Sequence, residues 1–146
     1  MNIIIRKSTQ ADIPGIYKMI LEFAAFQKTP EKVFVTEEQM REETSLFQCL
    51  VAETDRAELV GFASFFYAYY SWSGKAIYLD DLYIREQYRR NKAGKMLLDE
   101  LISEGRRNGC RKLRWQVSRW NEKAIGFYKS LGAHIDETEI NCDLNL

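Results

Sequence analysis

Three runs of strand-forming residues follow one another between Gln48 and Ile84, and the short polar turns between them leave little choice of arrangement. CLVAE begins at Cys49, LVGFASFFYAYY at Leu59 and AIYLDDLYI at Ala76, with turns at Asp55 and Arg56 and from Ser71 to Lys75. β-branched and aromatic side chains suit a pleated, half-buried surface, and seven aromatics fall between Phe62 and Trp72 with both ends counted. Turns this short join antiparallel neighbours, because a parallel crossover needs a dozen residues or more. The runs predict a meander. Asp80 and Asp81 interrupt the apolar third run, and buried carboxylates are costly unless they are paired or working.

The flanking segments read as helices and single strands. Asn2 to Lys7 carries Ile3, Ile4 and Ile5 as a first strand, followed by Thr9 and Asp12 at the spacing of a capping box. Ile13, Ile16, Tyr17, Ile20, Leu21 and Ala24 recur at helical spacing to about Phe26, where Lys28, Thr29 and Pro30 break the pattern. Thr36 with Gln39 starts a short Glu-rich helix. After the meander, Ala93, Leu97, Leu98, Leu101 and Ile102 form the apolar face of a helix ending near Asn108 and Gly109. KLRWQV is a strand, Asn121 caps a helix containing Ala124, Ile125, Phe127 and Tyr128, and Gly132 suits its left-handed end. ETEINCDLNL alternates Ile140, Cys142, Leu144 and Leu146 and predicts a last strand. The expectation is one α/β (α+β) domain over residues 1–146, a mixed, mostly antiparallel sheet with helices on both faces.

Charge distribution narrows the function. The chain has 21 basic and 21 acidic residues, but positions 85–119 hold 11 of the basic and 4 of the acidic ones. A basic segment in an otherwise acidic chain argues for a local anion site rather than for coating nucleic acid, although a solvated helix face remains the alternative. Cys49, Cys110 and Cys142 are odd in number and widely spaced, suggesting neither disulfides nor a zinc site; His134 has no partner at ligand spacing, and no metal is expected. MNIIIRKS turns basic after three apolar residues, too short for a signal core or a membrane span, so a cytoplasmic protein without membrane attachment is expected.

The stretch Arg89 to Lys95 lies between a strand and a helix, with Arg89, Arg90, Lys92 and Lys95 around Gly94. Unpaired N–H groups at a helix N-terminus carry positive partial charge and bind phosphate oxygens, and the basic side chains add to that field. LDDLYIREQYRRNKAGKMLLDEL resembles the cofactor-binding strand, loop and helix of the GNAT acetyltransferase superfamily, and NEKAIGFYKSLGA resembles its second cofactor motif. FASFFYAYYSWSGKAIYLDDLYI, SRWNEKAIGFYKSLGA and LEFAAFQKTPEKVFVTEEQM are similar to the diamine acetyltransferase group, which takes in spermidine/spermine and thialysine acetyltransferases.

The resemblance implies the GNAT fold, acetyl-CoA as cosubstrate, a small-molecule amine as acceptor and a homodimer; dimerisation rests on the resemblance alone. It assigns the backbone of Leu82, Tyr83 and Ile84 to the acetyl and pantetheine part, Arg89, Arg90, Asn91, Lys92, Ala93, Gly94 and Lys95 to the pyrophosphate, and Asn121, Lys123 and Ala124 to the other side of the cofactor. Pantetheine suits a strand edge because its two amides mimic a peptide. Lys92 departs from the pattern, standing where the loop's first glycine is expected. Tyr128 matches the group's general acid toward the departing sulfur, a role open to a phenol that is protonated at neutral pH. Asp80 falls where the group has a Glu that binds the amine and takes its proton through water, with Asp81 the second candidate. Phe26 and Gln27 stand where the group has an aromatic and an acidic residue for a cationic substrate, so the charge is lost and a less highly charged amine is implied.

Rival readings follow from the same residues. Tyr128 could be packing beside Phe127, and either Asp could be held by an arginine for structural reasons. The acceptor could be a protein or peptide amine or an aminoglycoside-like molecule. From another class, a GNAT-like module could bind acyl-CoA without turnover, and Lys92 favours that reading. Cys110 and Cys142 lack a nearby histidine motif, which favours direct transfer in a ternary complex over an acetyl-cysteine route.

Overall fold

The computed structural model describes residues 2–146, which separate into a unit running to Trp115 and a unit Gln116–Leu146. In the first unit the described residues form a five-stranded sheet in the order β1 (Ile3–Lys7), β2 (Gln48–Thr54), β3 (Leu59–Tyr70), β4 (Gly74–Ile84) and β5 (Lys112–Arg114). β1 to β4 pair antiparallel, and the last pair, β4 with β5, is parallel. Helix α3 (Ala93–Arg107) makes the crossover that a parallel pair requires.

Alternation along the strands gives the sheet two apolar faces. Cys49, Val51, Phe62 and Tyr83 pack against Ile13, Ile16 and Met19 of α1 (Ile13–Phe26) and Met40 of α2 (Glu37–Glu42). On the opposite face Leu50, Ala52, Ala63, Phe65, Ile77 and Leu79 pack against Leu97, Leu98 and Leu101 of α3, four and three residues apart as an inward stripe demands. Helices therefore cover both faces, as the sequence predicts. Thr36 caps α2 with its Oγ1 accepting the Gln39 N–H at 3.1 Å, while Gln39 Oε1 accepts the Thr36 N–H at 2.9 Å. Asp12 ends a short 3-10 turn, Gln10–Asp12, that precedes α1, and its carboxylate accepts the Thr9 N–H at 2.7 Å.

In the second unit, Asn121 Oδ1 accepts the Ala124 N–H at 3.2 Å and starts α4 (Glu122–Ser130), and Gly132 takes the left-handed φ of +89° beyond it. Two expectations need correction. KLRWQV is strand only over Lys112–Arg114, and residues 133–146 form neither helix nor strand. Alternating apolar residues give a strand its faces but not its partner, and without ladder hydrogen bonds the pattern has nothing to fix it.

Candidate active site

β4 departs from regular pairing at the two aspartates. Ser64 lies opposite Asp81 and Phe65 opposite Leu79, so Asp80 is the extra residue of a β-bulge. The buried Ser64 fills the irregularity, its Oγ accepting the Asp81 N–H at 3.2 Å. The small polar Ser64 inside the apolar run FASFF is the local sequence sign of this irregularity. Asp80 is exposed and Asp81 half-buried. Desolvation raises the pKa of both carboxyls, and the Asp80 charge adds to the rise at Asp81, which reaches about 6.

Beyond the bulge β4 has two unequal edges. Its pairing with β3 continues to Gly61 opposite Ile84, whereas pairing with β5 ends at Tyr78 opposite Arg114. Among the described residues, Leu79 to Ile84 are thus without a strand on the β5 side, and Leu82, Tyr83 and Ile84 lie in that stretch. Gly61 is needed here: a Cβ on it would collide with Ile84 Cδ1 and stand 2.8 Å from the Tyr83 carbonyl oxygen.

The chain then enters the loop from Arg85 to Lys92 and helix α3. Arg85 binds the Glu22 carboxylate through Nε and Nη2, both at 3.0 Å, and its Nη1 donates to the Leu59 carbonyl at 2.8 Å. Tyr88 donates to Glu58 Oε2 at 2.9 Å. Arg89 donates from Nε to the Ile84 carbonyl at 2.9 Å, and its guanidinium lies 4.6 Å from the Phe26 ring centroid and 5.8 Å from that of Tyr83. Sequence reasoning missed Glu22, Arg85 and Gly61, whose partners are distant in the chain.

Arg90 and Lys92 have φ of +34° and +61°, the left-handed region that favours glycine. Lys92, the N-cap of α3, therefore keeps the backbone conformation a glycine would supply, and for an L-residue this costs roughly 1–2 kcal/mol. Asn91 and Lys92 are exposed, Ala93 is buried, and Lys95 pairs with Asp99 at 2.6 Å. Gly94, in the first turn, is not demanded by packing, since an added Cβ would meet only Ile84 Cγ1 at 3.8 Å. The absence of a side chain there leaves room beside a helix N-terminus. Helix N-terminal N–H groups, the cations Arg90 and Lys92, which have no acidic partner among the described residues, and a strand edge with no strand beside it among those residues are the donor set that a phosphorylated, amide-bearing cosubstrate requires.

At the end of α1 Phe26 is exposed beneath Arg89, and Gln27 is the C-cap. The structure therefore joins Phe26 to Arg89 and Tyr83, and Asp80 to Asp81. Lys123, Ala124 and Tyr128 belong to α4 of the second unit, and Asn121 is its N-cap. Tyr128 is half-buried, its ring tilted against Phe127 with centroids 5.8 Å apart, and burial raises its pKa. A phenol so raised stays protonated at neutral pH. Among the described residues no helix is long and apolar enough to cross a membrane.

Comparison with known proteins bears on the whole chain. The profile of the Acetyltransferase (GNAT) family matches residues 13–133. Thialysine N-epsilon-acetyltransferase of Sus scrofa is 34% identical, covering 94% of this chain and 87% of its own, and that of Mus musculus is 35% identical over 92% and 85%. Among solved structures, an aminoglycoside acetyltransferase from an uncultured soil metagenomic sample superposes with a TM-score of 0.81 at 19% identity, covering 99% of this chain and 96% of its own.

Proposed function

We propose that this chain, which belongs to the GNAT family of acetyltransferases, moves the acetyl group of acetyl-CoA directly onto a primary amine of a small molecule. The observation that carries the reading is the course of β4: a bulge presents two carboxyls of raised pKa, the strand then runs on with no strand of the described residues on its β5 side, and it leads into a basic loop and a helix N-terminus.

The chain's residues divide the work as follows. Leu82, Tyr83 and Ile84 offer backbone groups to the pantetheine amides, while the loop from Arg89 through Lys95 receives the pyrophosphate. Asn121, Lys123 and Ala124 are assigned to the cofactor by their place in the second motif. When the neutral amine attacks the thioester carbonyl, a C–N bond forms and the C–S bond breaks, so nitrogen sheds one proton and sulfur gains one, and an amine that arrives as an ammonium must first lose another. A primary amine is mostly protonated at neutral pH, and the Asp80–Asp81 pair takes its proton. A carboxylate near pKa 6 is still ionised at pH 7 and is a stronger base than an ordinary Asp. Tyr128 supplies the proton to sulfur, on its place in GFYKSLGA.

The acceptor is a lysine-like amine or short diamine rather than a long polyamine. Gln27 brings no negative charge to the end of α1, and the Arg89 guanidinium already covers the Phe26 ring. Thialysine, named for the relatives above, is an acceptor of this kind. The single domain, the homodimer and the cytoplasmic setting belong to the same reading, and of these the homodimer rests on the resemblance. A screen of amines for CoA thiol release by the purified protein tests it, with thialysine, lysine, short diamines and spermine as the first set. Binding of CoA without turnover of any amine would favour the second reading, an acyl-CoA-binding module, for which Lys92 in place of glycine is the supporting feature.

A further inference from the structure

Helix α1 and the loop after β4 grip each other at two points with the same spacing. Glu22 and Phe26 stand four residues apart and so share one face of α1, and Arg85 and Arg89 stand four residues apart in the loop. Glu22 holds Arg85 by two hydrogen bonds of 3.0 Å, and Phe26 carries the Arg89 guanidinium at 4.6 Å. The second grip is backed from behind. Arg89 is also 5.8 Å from the Tyr83 ring, which stacks on Phe23 of the same helix with centroids 5.1 Å apart. The polar groups that orient the two arginines, Glu22, Glu58, the Leu59 carbonyl and the Ile84 carbonyl, lie outside the loop itself.

What these grips hold is a strained segment. Arg90, next to Arg89, and Lys92, two residues further on, are both in the left-handed region, and residues in such conformations persist only where their surroundings over-determine them. Neither has an acidic or aromatic partner among the described residues, so nothing on their own side chains keeps them there. Phe26 meanwhile is 60% exposed, far more than a residue kept for the core.

We propose that Phe26 and Glu22 are positioning residues for the cofactor, and that α1 splints the loop Arg85 to Lys92 in the shape that receives the CoA phosphates. The proposal rests on the reading above that this loop binds those phosphates. It gives Phe26 a task on the cofactor side, distinct from contact with the amine. The guanidinium on its ring would repel an amine cation approaching the same face.

The test is calorimetric binding of CoA and of pantetheine, which lacks phosphates, to the parent chain and to Phe26→Leu, Phe26→Tyr, Arg89→Lys and the double variant Phe26→Leu with Arg89→Lys. Phe26→Leu should weaken CoA about two- to fivefold, the range of an exposed cation–π contact, with pantetheine affinity and melting temperature unchanged. Phe26→Tyr should restore CoA binding. Lysine keeps the charge of Arg89 but not its planar stacking, so the double variant should bind no worse than the weaker single. The proposal is overturned if Phe26→Leu binds CoA as the parent does, if pantetheine weakens equally, if the two changes add fully, or if only the KM for the amine moves. A parent chain that does not bind CoA would instead remove the reading beneath it, and the proposal with it.

Discussion

At the scale of single residues, Asp80 and Asp81 are separable by what each does to the other. Asp81 is raised first by burial and second by the Asp80 charge, so an acid limb in kcat/KM is expected near pH 6, with activity rising as the carboxyl loses its proton. Asp80→Asn removes the neighbouring negative charge and should move the limb to lower pH, whereas Asp81→Asn should abolish it. A limb that neither variant moves would exclude the pair as base. Tyr128→Phe keeps the ring and removes the hydroxyl; loss of general-acid help should lower kcat by about 10²- to 10⁴-fold, measured against unchanged CoA affinity and melting temperature. Turnover within about twofold of the parent would make Tyr128 a packing residue. Lys92 is a different case, since its strain is in the backbone. Lys92→Gly should raise stability in denaturant unfolding by about 1 kcal/mol while weakening CoA binding and its dependence on salt, because one cation leaves the loop.

At the scale of elements, β1, β3 and α3 meet at one buried carboxylate. Glu104 of α3 accepts from Lys7 at 2.9 Å, Arg107 at 2.9 Å and Tyr67 at 3.1 Å, and these partners, Lys7 foremost, hold its pKa down from 4.5 to about 2. The folded pKa lies below the unfolded one, so the contribution is complete above pH 4.5 and is lost as pH falls toward 2. It amounts to about 3 kcal/mol, and Glu104→Gln should remove that part of the acid sensitivity in denaturant melts at pH 7 and pH 3. A variant as acid-sensitive as the parent would refute the assignment. Such contacts mark where the sequence stops being readable. The helices and the meander were legible because periods of 3.6 and 2 are local signals, and the caps at Thr36 and Asn121 are local too. The bulge at Asp80, the close approach at Gly61 and the grip of Glu22 on Arg85 join residues far apart in the chain, and no spacing announces them. The expected strand over residues 137–146 failed for the same reason, because a strand is defined by a partner the sequence does not name.

At the scale of the whole molecule, charge is balanced in number, with 21 residues of each sign, but not in place. The loop after β4 concentrates cations, Arg89 brings one of them onto Phe26, and Gln27 leaves the end of α1 without an acid. A field of this kind draws the phosphates of CoA and opposes an acceptor that carries several positive charges. Spermine has about four ammonium groups at neutral pH, since an aliphatic amine titrates near 10, and all but the reacting one stay charged throughout the encounter. Thialysine carries a carboxylate that offsets its α-ammonium, so it approaches as a much weaker cation. Its kcat/KM should therefore exceed that of spermine at low salt. Raising the ionic strength separates this account from one based on shape. The Debye length falls from about 30 Å at 0.01 M to about 8 Å at 0.15 M, so repulsion of spermine should fade and the gap in kcat/KM between the two amines should narrow. A gap that salt leaves untouched would locate the discrimination in the fit of the acceptor, and a preference for spermine at every salt concentration would mean that Asp80, Asp81 or the tail acids Asp136, Glu137 and Glu139 supply the negative charge that Gln27 lacks.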